Sequence, residues 1–149
     1  MDFKELVKTA EIGAIKTFTN DGEVMQVALA VNRHDEMIAI ACPWSDPRER
    51  RVILDALKTV FATHGVKHYV VISEVWTLEQ RRGDAPVLPS ESERRKECVM
   101  VAGTDGKERV LITREILRAP GRPPILDEPL RMTQEQCQGE LMELIPAVL

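Results

Sequence analysis

The densest group of side chains able to do chemistry is Ser73-Glu74-Val75-Trp76. It closes an apolar, β-branched run over 67–78 that reads as one strand. Alternation along a strand puts Glu74 on the face that carries Val70, Ile72 and Trp76. A carboxylate among apolar neighbours is costly to desolvate unless a cation, a donor or a proton compensates it. Two readings follow. In one, Glu74 is a general acid/base or a ligand anchor beside Trp76, and Arg94 and Arg95 of the next connection complete the binding group. In the other, the strand runs past the helix layer, and Glu74 is bridged to Arg94, Arg95 or Arg109 at the sheet surface.

The connection over 79–96 is long, polar and of mixed charge, with Gly83, Pro86 and Pro89 as punctuation. Such segments are binding loops, lids or disordered linkers. Its second half also fits an early start of the next strand, or a helical turn capped by Ser90. A second candidate site is the junction Cys42-Pro43-Trp44-Ser45-Asp46-Pro47-Arg48-Glu49-Arg50-Arg51, where a strand gives way to a helix N-terminus. Unpaired N–H groups there attract anions, so Ser45, Arg48 and Arg51 form a candidate anion site. The plainer alternative offsets the arginines with Asp46, Glu49, Asp55 or a neighbouring subunit's carboxylate.

The string SEVW, a variable connection and then PSESERRKECVMV resembles a pattern in small uncharacterised bacterial and prophage-encoded proteins. There, a strand ending in Ser-Glu-x-Trp precedes a Pro-Ser-acidic-Arg segment and another strand. The resemblance spans residues 69–113 and carries no known activity. It implies that Glu74, Trp76, Pro89 and Arg95 act as one unit, with the loop folded back on the strand.

Other chemistries lack their residues. The G-x-x-x-x-G-K-[ST] and G-x-G-x-x-G loops are missing, so no nucleotide cofactor is expected. No Ser lies in a G-x-S-x-G elbow. His34, His64 and His68 form no metal-ligand spacing, and Cys42, Cys98 and Cys137 form no C-x-x-C, so neither a metal nor a disulfide framework is expected. His34-Asp35 reads as a turn. With 20 basic and 24 acidic residues the net charge is −4, which disfavours a phosphate-backbone partner, and the aromatics are too sparse for a base-stacking platform. No apolar run is long enough to span a bilayer, and Met-Asp-Phe-Lys-Glu does not read as a signal peptide. A cytoplasmic protein with reduced thiols is the expectation.

These residues must be held by elements that the pattern also suggests. Phe3, Leu6, Val7, Ala10, Ala14 and Phe18 recur at helical spacing, and Asn20-Asp21-Gly22 then turns the chain. Two strands, 23–32 and 36–42, carry Met25, Val27, Leu29 and Val31 on one face and Ala28 and Ala30 on the other. Both faces should be covered, the alanine face allowing close approach of a helix, a subunit or a ligand. A helix follows, N-capped by Asp46 with Pro47 at its first position, striped by Val52, Ile53, Ala56, Leu57, Val60 and Phe61, and closed by Gly65. Between flanking strands it suggests a βαβ crossover. Strands over 97–102 and 108–113 flank Gly103-Thr104-Asp105-Gly106. Beyond Leu117 come a proline-rich extended arm and a last helix, capped at Thr133 and bearing Cys137, Leu141, Leu144 and Ile145.

The expected fold is therefore α+β, with a five-stranded, mostly antiparallel (mixed) sheet and packed helices in the order α-β-β-α-β-β-β-α. Residues 1–117 form the domain, and 118–149 the arm and end helix. The apolar hairpin and tethered tail point first to a non-enzymatic protein that self-associates. A small enzyme or ligand-binding domain using Glu74 and Trp76 under the 79–96 loop is the alternative.

Overall fold

A computed structural model describes residues 1–77, 95–132 and 139–147. The first helix, α1 (Phe3–Asp21), starts at a capping box: the Asp2 carboxylate accepts from Glu5 N–H, and the Glu5 side chain accepts from Asp2 N–H. Gly22 ends it in the left-handed region at φ 75°, one turn later than the apolar spacing suggested. All six residues of the expected stripe are buried.

Two strands follow, β1 (Val27–Asn32) and β2 (Met37–Ala41), and then helix α2 (Pro47–His64). The Asp46 side chain caps α2 by accepting from Glu49 N–H, and Gly65 closes it at φ 65°. Strands β3 (Val66–Thr77), β4 (Lys96–Thr104) and β5 (Arg109–Leu117) complete the long strands. Short strands β6 (Ile125–Leu126) and β7 (Leu130–Arg131) come from the proline-rich arm.

The sheet runs β2-β1-β3-β4-β5-β6, with β7 also on β5, and each of these pairings is antiparallel. Among the described residues it therefore has seven strands and not five, because the arm pairs with Ile112–Thr113 and Ile116–Leu117. β1 lies between β2 and β3, so the strands that α2 joins run the same way without being neighbours. The expected final helix is also corrected. Where the tail is described, Leu141 lies in a 3₁₀ turn (Glu140–Met142), and Leu144 and Ile145 follow in bends; Thr133 and Cys137 fall outside the described residues.

Among the described residues, one helix covers each face of the sheet. Under α1, Phe3, Leu6, Val7, Ala10, Ala14 and Phe18 meet Val31, Val70, Ile72, Val99, Val101 and Ile112. On the other face Leu54, Leu57 and Phe61 of α2 pack on Ala28, Ala30, Tyr69 and Val71, so the alanines admit a helix. The buried line of α2 is rotated from the expected stripe: Leu54 is buried while Val52 is 64% exposed. The tail extends this layer, with Met142 and Leu141 over Met100 and Ala102.

Gly103 is required by close approach. A Cβ there would lie 2.1 Å from the Tyr69 carbonyl oxygen, so β3 and β4 could not keep their register with any other residue.

Candidate ligand-binding cleft

The two candidate regions of the sequence meet at one end of the sheet. There β3 ends, the chain enters β1 and leaves β2, and β4 begins. An open cleft of about 810 Å³ is lined by Glu23, Met25, Gln26, Trp44, Ser45, Arg50, Glu74 and Trp76, among others. A smaller hollow of about 270 Å³ adjoins it through Glu74 and Trp76 and reaches Glu97 and Ile116.

Glu74 and Trp76 arrive there by strand alternation, on the face of β3 whose buried members are His68, Val70 and Ile72. Beyond Ile72 that face emerges from the core, and both residues are exposed, Trp76 by 41%. Partial desolvation still pushes the Glu74 carboxyl above its ordinary value, helped by the charges of Glu23 and Glu97. A hydrogen bond from the Val24 backbone and the charge of Arg118 pull the other way. Arg118 is itself paired to Glu97 at 2.9 Å. Among the described residues, Arg118 is the arginine whose charge acts on Glu74, and the sequence did not single it out, while Arg109 pairs in register with Thr104 at the far end of the sheet.

Each tryptophan has a guanidinium near its face. Arg95 Cζ lies 4.5 Å from the centre of the Trp76 ring, and Arg50 Cζ lies 6.0 Å from that of Trp44. Both fall within the range of cation–π attraction. Arg94 and Pro89 lie outside the described residues.

Trp44 is positioned by a residue that the sequence reading missed. The Gln26 carboxamide accepts from Trp44 N–H at 3.0 Å and donates to Ser73 Oγ at 3.1 Å, while its backbone carbonyl accepts from Cys42 N–H. One side chain therefore ties the exit of β2 to the end of β3. A glutamine just ahead of an apolar strand is the only local signal of this, and it is a weak one.

Of the anion candidates, Ser45 lines the cleft, whereas Arg48 and Arg51 are exposed on the first turns of α2 and do not. The helix start holds its own anions. Asp46 Oδ1 accepts from Glu49 N–H at 2.8 Å, and Glu49 Oε2 accepts from Ser45 N–H at 3.1 Å. Two of the amides that would greet a phosphate, those of Ser45 and Glu49, are bonded to carboxylates.

Cys42 and Cys98 are buried free thiols whose pKa values are raised by desolvation, which suits packing and not nucleophilic attack. Among the described residues no group of three or more His, Cys, Asp or Glu could hold a metal ion, and no described helix is long and apolar enough to cross a membrane. In comparisons with known proteins, no family model, no curated protein and no solved structure matches the chain.

Proposed function

We propose that the chain is a binding protein whose cleft takes a small, neutral ligand with a ring face that can stack on indole and several hydroxyl or amide groups. The observation that carries this is the convergence of Trp44 and Trp76, from different elements, on a cleft that also holds Glu23, Glu74, Gln26 and Arg50. Indole faces offer an apolar platform, and carboxylates accept hydrogen bonds from hydroxyls or amides. The carboxylates disfavour an anion, and the guanidiniums over the rings disfavour a second cation. The free buried thiols fit work in the reducing cytoplasm.

The chain has two tryptophans and both line the cleft, so tryptophan emission, excited selectively, reports on this site alone. Titrating the full chain with glucose or adenosine at millimolar concentration should shift or quench that emission, and inorganic phosphate should not. Trp76→Phe should weaken the response to the neutral probes. If neither neutral probe moves the emission, or if phosphate alone does, the reading fails.

A further inference from the structure

We propose that two copies of this chain pair antiparallel along their β2 edges, about a twofold axis through Ala39. This does not depend on the ligand reading of the cleft. The tethered tail, one of the two features from which the sequence suggested self-association, is occupied on its own sheet with the arm: the arm pairs with β5, and the tail packs over Met100 and Tyr69. β2 is left as an outer strand, and among the described residues nothing pairs with its free side.

The hydrogen-bond phase says what that side presents. Cys42 N–H donates to Gln26 O and Asn32 N–H donates to Glu36 O, bracketing an unbroken β1–β2 register. Even-numbered residues of β2 therefore bond to β1, and Met37, Ala39 and Ala41 turn their N–H and C=O groups outwards. Natural edge strands are protected by lysine, proline, a bulge or a covering segment. Met-Ile-Ala-Ile-Ala has no charge and no proline, and its pairing with β1 contains no bulge.

The strand is also complementary to itself. Antiparallel pairing about Ala39 sets Met37 against the partner subunit's Ala41 and Ile38 against the partner subunit's Ile40. Large meets small on one face and isoleucine meets isoleucine on the other, as an isologous interface needs. The nearest charge, Glu36, falls opposite the partner subunit's Cys42, so no like charges meet. On the α1 side the pairing covers ground that α1, lying over β3 and β4, leaves open, where Met37 is 54% exposed. A foreign strand would match the outward N–H and C=O groups but has no reason to match this size pattern.

Size-exclusion chromatography with light scattering on the full chain, across the micromolar range, should give twice the chain mass, falling on dilution. Ala39→Lys puts two ammonium groups together at the axis and should halve that mass with an unchanged circular-dichroism spectrum. Ile12→Lys, on the exposed side of α1, should leave the mass alone. With Cys137 replaced by Ser, Ala39→Cys should cross-link to itself under mild oxidation and Met37→Cys should not, because residue 37 faces residue 41. A wild-type monomer at every concentration, an Ala39→Lys chain as dimeric as wild type, or equal cross-linking at 37 and 39 would each overturn the proposal.

Discussion

The two ends of the sheet use their polar residues in opposite ways. At the end away from the tryptophans, side chains are consumed by the backbone. Asn32 Oδ1 accepts from His34 N–H and Glu36 N–H, both at 2.9 Å, which makes His34-Asp35 a turn as its sequence suggested. Asp105 Oδ1 accepts from Lys107 N–H and Glu108 N–H, and Thr104 Oγ1 donates to Glu108 O. His68 Nε2 bonds the Met1 carbonyl at 3.0 Å, and Lys67 is paired to Asp35. The Tyr69 hydroxyl, fully buried, donates to Leu141 O and accepts from Leu144 N–H, so one phenol clamps the tail; burial raises its pKa well above the usual phenol range. A cleft of about 860 Å³ exists here too, but its walls include Gly65, Lys67 and Leu144, which already have these structural duties. At the tryptophan end Glu74, Trp76 and Met25 stay exposed around a hollow. At the closed end the polar groups are bonded into the fold; at the open end Gln26 does the same, while Glu74 is left facing the cleft.

Substitutions at the closed end should therefore cost stability, and those at the open end should cost ligand. The largest loss is expected for Phe61→Ala, which empties a fully buried ring site packed 5.0 Å from Tyr69, at about 3–5 kcal/mol in chemical denaturation. Tyr69→Phe keeps the ring and strands two backbone groups of the tail. It should cost about 1–3 kcal/mol and expose the tail to limited proteolysis. Asn32→Ala removes the acceptor shared by two turn amides and should cost about 1 kcal/mol, seen as a lowered Tm. Burial holds the His68 pKa below its ordinary 6.5. As pH falls through 6.5 the unfolded chain takes up a proton that the folded chain resists, so stability should decline until the lowered folded pKa is reached. His68→Gln should flatten that decline in Tm measured against pH.

What was legible in the sequence depended on range. The α1 stripe and the caps at Asp46, Pro47 and Gly65 are local patterns, and the structure has them where local rules place them. The α2 face was misjudged because Val52, Ile53, Leu54, Ala56 and Leu57 crowd several faces, and the alanine surface of β1 chooses among them. β6 and β7 are two residues long, too short for alternation to show. The tail follows Tyr69, a contact across more than seventy residues that no local signal announces. For the cleft, the face of Glu74 and Trp76 followed from period two, but the arrival of Trp44 depends on the order β2-β1-β3 and on Gln26. Both are tertiary facts. Arg94 and most of the 79–96 connection lie outside the described residues.

The division of labour between the two ends is tested most directly by denaturant unfolding of Glu74→Gln. Because the folded pKa of Glu74 is raised, its charge opposes folding at neutral pH, and the opposition fades as pH falls below the folded value. Removing the charge should leave the unfolding midpoint unchanged or raise it, on the order of tenths of a kcal/mol given solvent screening. The gain should vanish in acid, while the tryptophan response to glucose or adenosine is lost. A midpoint lowered as far as that of Tyr69→Phe, with that response intact, would make Glu74 a structural ion-pair residue and contradict the account.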